Sequence, residues 1–168
     1  MKKILSIALL ALSLISTKAV HAAENWKGKT EVSPYEFGLL SGMGLFGTEA
    51  AWSFLGTASY LIKPEGIVDD VDERVWVEGQ LGPSFFPGSI GTGLQYSGHI
   101  RWDFTYNEYW TAYGLGGLSG FILPSGFGSK FTFHPRFGVG VEYQTKTPLM
   151  FRGEVSAEFI GLGIALNF

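Results

Sequence analysis

Between Leu94 and Thr105 the chain alternates almost without a break. Leu94, Tyr96, Ile100, Trp102 and Phe104 fall on one parity, and Gln95, Ser97, His99, Arg101, Asp103 and Thr105 on the other. An extended strand sends successive side chains to opposite faces, so this run is oily on one side and charged on the other, and no helical period fits it. Two arrangements satisfy such a strand. Either the charges face water and the apolar side packs a soluble core, or the charges are enclosed and the apolar side meets lipid.

The same dyad recurs along the chain. Tyr35, Phe37, Leu39, Met43 and Leu45 alternate with Glu36, Gly38, Leu40, Gly42 and Gly44, predicting a first strand that ends near Gly47. Thr48 and Glu49 make a turn into a second strand, about Ala50 to Ile62, with Trp52, Phe54, Ala58 and Tyr60 opposed to Ser53, Leu55, Thr57 and Ser59. In the third strand Val75, Val77 and Leu81 oppose Trp76, Glu78, Gln80 and Ser84, and Phe86-Pro87-Gly88-Ser89 closes it as a turn. The run from Leu94 is the fourth. After a tight turn at Asn107-Glu108 the fifth runs from Tyr109 to about Ile122, with Trp110, Ala112, Leu118 and Ile122 alternating with Thr111, Tyr113, Leu115 and Ser119. A loop from Leu123 to Ser129 leads to the sixth, where Phe131, Phe133, Phe137, Val139, Val141 and Tyr143 oppose Thr132, His134, Arg136, Gly138, Gly140 and Glu142. Gln144 to Thr147 turns into the seventh, about Leu149 to Ser156. A turn near Ala157 and Glu158 then opens the last, in which Ile160, Leu162, Ile164, Leu166 and Phe168 share one face with Gly161, Gly163, Ala165 and Asn167 between them.

The chain begins as an exported protein does. Lys2 and Lys3 precede an apolar run from Ile4 to Ile15 and then Val20-His21-Ala22, the three-part organisation of a signal peptide cleaved after Ala22. That run is too short for a membrane helix, which needs roughly 20 residues. Cleavage removes Lys2, Lys3 and Lys18, leaving 9 basic residues against 15 acidic ones. An acidic exported chain is not a nucleic-acid binder. Residues 23–34 read as a polar tether, and residues 35–168 as the folded unit.

The composition is 46% hydrophobic with 24 glycines, yet after the leader no apolar stretch approaches the length of a membrane helix. The apolar content is dispersed at alternate positions. Cysteine is absent, which excludes a thiol nucleophile, a thiolate metal site and disulfides. Eight strands over the processed chain leave roughly 18 residues per strand and connection, enough for the 9 to 11 residues of a tilted membrane strand plus a turn. Aromatic residues collect at expected strand ends: Trp102, Phe104, Tyr106, Tyr109 and Trp110 about one turn, and Phe121, Phe127, Phe131 and Phe133 about a loop on the other side.

On its leader, its eight dyads, its aromatic strand ends and its apolar, Phe168-terminated last strand, the chain resembles the small eight-stranded bacterial outer-membrane β-barrels, the class that includes the outer membrane protein A and X types. The resemblance implies an all-β, antiparallel, up-and-down transmembrane barrel in the cell outer membrane. It also implies that Ile160, Leu162, Ile164, Leu166 and Phe168 form a C-terminal signal read by the barrel-assembly machinery. The chain stops at Phe168, so no periplasmic domain is expected to follow. One feature departs from the class: with both ends in the periplasm, Lys63 to Glu73 becomes a long acidic periplasmic turn, whereas the outer loops near Thr48 and Ala157 are very short. Asp69, Asp70, Asp72 and Glu73 lie within that turn, and their spacing lacks the Gly and terminal Glu of a calcium loop, so a solvated acidic loop is expected.

Extending the dyads puts Glu36, Glu78, His99, Arg101, Asp103, His134, Arg136, Glu142, Arg152, Glu154 and Glu158 inside. Pairing the sixth and seventh strands about their turn sets Gly138 near Glu154 and Arg136 near Ser156, makes Arg136 and Glu154 diagonal neighbours, and brings His134 toward Glu158. Enclosed acids and bases neutralise each other, and removing one partner of such a pair costs roughly 3 to 5 kcal/mol. His134 with Glu158 or Glu154 and Ser156 or Ser119 also has the residue types of a hydrolytic triad. A lipid-modifying enzyme has to present its nucleophile to lipid, however, and His99 and His134 both point inward. The cluster therefore reads as structural filling, with no cofactor. A lipid A-directed enzyme is the alternative, and a partner-binding adhesin a weaker one. An open pore conflicts with an eight-stranded interior, which is just wide enough for its own side chains. A soluble lipocalin-like barrel is the remaining fold alternative, with every polarity inverted, and the terminal Phe168 and the aromatic girdles favour the membrane barrel over it. The expected state is a monomer whose partners are the outer-membrane lipids and the assembly machinery.

Overall fold

The structure, a computed structural model, describes residues 33–46, 49–68, 71–87, 91–123 and 131–167. The leader and its cleavage site, most of the tether, Thr48, Asp69, Asp70, Phe127 and Phe168 lie outside the described residues. Eight strands follow in order: β1 (Tyr35–Phe46), β2 (Glu49–Lys63), β3 (Glu73–Phe86), β4 (Gly91–Thr105), β5 (Trp110–Ile122), β6 (His134–Gln144), β7 (Leu149–Ser156) and β8 (Phe159–Asn167). Each pairs antiparallel with its sequence neighbours, and β8 closes on β1 from Glu36↔Asn167 to Gly44↔Phe159. Closure leaves no open sheet edge, so the backbone groups of the wall pair within the wall, as a bilayer requires.

The wall is turned oily side out. Phe37, Leu39, Trp52, Val77, Leu81, Ile100, Phe137, Val139, Leu162 and Ile164 are all exposed, whereas Arg101, Arg136, Arg152, Glu78 and Glu154 are buried. The expected faces therefore hold on every strand. Tyr35, Tyr60, Phe104, Tyr106, Trp110 and Tyr143 ring the end of the barrel where the strand termini Tyr35 and Asn167 lie, with Tyr35 against Tyr60 and Trp110 against Tyr143. Amphipathic rings gather at membrane interfaces for their combination of apolar body and polar edge. This is the terminal end. The opposite end carries the β1–β2, β3–β4, β5–β6 and β7–β8 connections and is the loop end.

Three expectations are corrected. Phe121 is not part of an outer girdle: it has the parity of Ser119, points inward and is fully buried. The register of β6 and β7 is two residues from the expected one, pairing Gly140 with Glu154 and Gly138 with Ser156. Pro148 has no N–H to give the ladder, so pairing starts at Met150. The side chains of Gln144 and Thr145 bond the intervening turn, to the carbonyls of Thr147 and Leu149 at 2.7 Å each. A slip of two preserves the faces, which is why the inside residues are unaffected. Finally, β6 starts at His134 rather than Phe131. Thr132 Oγ1 accepts from the Phe121 N–H at 2.8 Å in place of a ladder carbonyl, and Phe131 meets Ile122 through an isolated bridge outside the strand.

Candidate functional site: the barrel interior

The interior is built in layers from the inward parity of the strands. At the terminal end a polar vestibule of about 350 Å³ is lined by Glu36, Trp76, Asp103, Glu142 and Arg74. Above it lies Arg101, donated by β4. Its guanidinium grips Glu36 of β1 with two parallel bonds of 2.8 and 3.0 Å and Asp103 with two more of 2.9 and 3.0 Å. Glu78 and Glu142 each lie 3.0 Å from the same Nη1. The planar fork of arginine matches carboxylates bidentately, which suits a residue that has to tie four strands together. Trp76 and Tyr113 rings flank the cation at 5.1 and 5.4 Å, adding attraction from their π faces.

Arg152 of β7 continues the network. It binds both oxygens of Glu78 at 2.7 and 2.8 Å, reaches Glu154 at 2.8 Å, and donates through Nε to the Tyr113 hydroxyl at 2.8 Å. Tyr113 has room because position 140 is glycine: a Cβ there would overlap the phenol ring. His99 Nε2 sits 3.2 Å from Glu78. Arg136 of β6 bonds Ser97 Oγ at 2.7 Å, pairs with Glu154, and lies 3.2 Å from Glu158. Arg136 and Glu154 do meet, but not as the expected diagonal: in the observed register Arg136 is level with Glu158 and its guanidinium reaches four ladder positions along to Glu154. Three buried guanidiniums are interleaved with six buried carboxylates, Glu36, Glu78, Asp103, Glu142, Glu154 and Glu158.

Nearer the loop end, Ser119 Oγ donates to Glu158 Oε1 at 2.8 Å and lies 3.0 Å from His134 Nε2. The residue types proposed for a triad do meet, but in a different order. A hydroxyl has one proton to donate, and with Ser119 giving it to Glu158 a bond to His134 requires the imidazole Nε2 to carry the proton. In a triad the histidine stands between nucleophile and acid; here the serine does. Ser119 is fully buried behind the wall, and Ser156 bonds the Phe159 carbonyl at 3.4 Å. Acyl transfer to or from a lipid requires the nucleophile on the other face.

Toward the loop end lies an apolar feature that alternation alone did not identify. Ala51, Phe86, Phe121 and Leu123, with Phe46 packed against them, form an apolar cluster inside the barrel mouth. Beneath it Leu40, Leu55 and Phe159 form a second. Carrying the inward parity past Ser119 to Phe121 and past Ser84 to Phe86 finds the lid; taking aromatic residues near a strand end as lipid-facing hides it.

Neither a protein-family model nor a curated protein matches the chain. Solved structures do. The crystal structure of Ail, the attachment invasion locus protein of Yersinia pestis, aligns over 83% of this chain and 100% of its own at 18% identity, with a TM-score of 0.54. The backbone structure of the Yersinia pestis outer membrane protein Ail in a phospholipid bilayer nanodisc aligns over 82% of this chain and 100% of its own at 17% identity, with a TM-score of 0.51. With its closed ring, apolar exterior and ionic interior, the chain has the fold of a small eight-stranded outer-membrane β-barrel.

Proposed function

We propose that this chain is a closed, non-enzymatic barrel of the cell outer membrane whose interior side chains serve structure alone: His99, Arg101, Asp103, His134, Arg136, Glu142, Arg152, Glu154 and Glu158 fill and cross-link the ring. The observation that carries this reading is the bidentate grip of Arg101 and Arg152 on carboxylates from opposite sides of the wall, beneath an apolar lid. An eight-stranded interior leaves no room for both that network and a conducting path. Planar-bilayer recording of the purified protein tests it: no unitary conductance is expected, and discrete channel steps sink the proposal. In this reading residues 1–22 are removed on export, the terminal end faces the periplasm, and the folded protein is a monomer among outer-membrane lipids. The face of Ile160, Leu162, Ile164, Leu166 and Phe168 is what the assembly machinery reads. Its supporting feature is the run of exposed side chains from Ile160 to Leu166 on the strand that closes the ring. Removing Phe168 is expected to abolish heat-modifiable, membrane-inserted protein, and normal insertion of the truncated chain contradicts that role.

A second reading has one observation in its favour, the meeting of Ser119, His134 and Glu158. As a lipid A-directed hydrolase the protein would change the acyl pattern of lipid A, and His134→Ala would abolish the change while the barrel still folds. The structural reading expects the same lipid A profile with and without the protein.

A further inference from the structure

Among the carboxylates of the described strands Glu73 is unusual, because it stands on the lipid side of the wall. Its ladder partner is Phe104, and two residues on Val75 pairs with Trp102 and then Val77 with Ile100, all of the outward parity. Val77 is 45% exposed, as an outward residue of a bare wall should be. Val75 is only 7% exposed and Glu73 1%. Something outside the barrel covers the lower rim of β3. The groups bonded to Glu73 identify it: the backbone N–H groups of Ile67 and Val68 both donate to one carboxylate oxygen, and the Trp102 indole N–H donates to the other. Lys63 adds an attractive charge nearby.

The connection after β2 therefore folds back against the outer wall. Gly66 permits this in two ways: its φ of +63° lies in the left-handed region, and a Cβ there would overlap the Glu73 side chain. With the carboxylate's oxygens occupied, the side chains beside it point away. Ile67 is 59% exposed and Val68 45%, two β-branched apolar residues tied through Glu73 to the Trp102 indole of the outer wall.

We propose that Gly66–Val68 is a strap locked to the wall by Glu73, and that Ile67 and Val68 insert into the interfacial layer of the bilayer leaflet at the terminal end. The inference rests on the membrane-spanning reading of the barrel. The strap makes a length of chain that looks like a solvated acidic loop part of the membrane-bound surface. Glu73 acts as its latch: an ionised carboxylate can stand on the lipid face there because three N–H donors replace its hydration.

The chain contains no native cysteine, so single probes can be placed cleanly. An environment-sensitive fluorophore is attached at Ile67→Cys, at Ile100→Cys in the belt, and at Glu65→Cys, which is exposed ahead of the strap. The proteins are folded into phosphatidylcholine vesicles with and without a lipid-borne quencher. The expected result is blue-shifted, lipid-quenched emission from position 67, approaching that of position 100, with water-like emission from position 65. Adding Glu73→Gln to the Ile67→Cys protein should shift its emission back toward water and cut the quenching several-fold. Water-like, unquenched emission at 67 with a lipid-like signal at 100 overturns the strap and leaves the barrel standing. Water-like emission at both overturns the membrane-spanning reading itself. A lipid-like signal at 67 that Glu73→Gln leaves unchanged overturns the latch.

Discussion

Arg101 illustrates how much one residue carries in this interior. It is fully buried, and Glu36, Glu78, Asp103 and Glu142 all lie within 3.0 Å of its guanidinium. Replacing it with leucine strands several buried carboxylates without a counter-charge, for which a loss of roughly 3 to 5 kcal/mol is expected. Urea titration of the folded protein in lipid, read by the gel shift between folded and boiled forms, measures it. Arg101→Lys should recover only part, since an ammonium cannot reproduce two bidentate grips. Arg74 is the contrast. Among the described residues its ion pair is with Asp72, at 3.6 Å, and it lines the vestibule, so Arg74→Ala should lower the urea midpoint by much less than Arg101→Leu does.

At the scale of the strand, the decisive property is which face meets lipid. Ile100 of β4 and Val139 of β6 are both half-exposed on the outer wall, and their inward neighbours are Arg101 and Gly138 or Gly140. Arginine at either outer position should cost about 2 to 4 kcal/mol if these positions lie near the bilayer midplane. Neutral results at both would mean that the faces are inverted. The strands also show where alternation is legible and where it fails. Within β4 the pattern specifies every inward side chain. At the β6–β7 turn, Pro148 and the side-chain bonds of Gln144 and Thr145 shift the register by two, a choice made by hydrogen bonds that period-2 reading does not contain.

For the whole molecule, the proposed reading places two barriers in series. The ion network closes the middle, and Phe46, Ala51, Phe86, Phe121 and Leu123 close the loop end. Phe121→Ala should destabilise the protein by roughly 3 to 5 kcal/mol, as truncation of a buried aromatic residue does. It should still give no channel, because the arginine layer lies beneath. Conductance from Phe121→Ala alone would show that the lid, and not the network, seals the barrel.

Alternation by itself determined the strand count and which residues share a face; the aromatic strand ends and the Phe168 ending chose which face is outside, because only in a membrane barrel does the other orientation strand Arg101, Arg136 and Arg152 in lipid. Alternation also put Arg136 and Glu154 on the same inward face, but their contact depends on the long arginine side chain reaching four ladder positions along. Only the tertiary structure decided which partner each charge takes, since a guanidinium in the middle of a closed ring reaches carboxylates on strands far away in sequence: Arg101 meets Glu36 across 65 positions, and Arg152 meets Glu78 across 74. It likewise decided that Ser119 lies between His134 and Glu158, that Phe121 turns inward, and that Glu73 stays on the lipid side beneath its own turn. Each of these depends on what lies opposite or above a side chain, and a linear pattern holds no record of that.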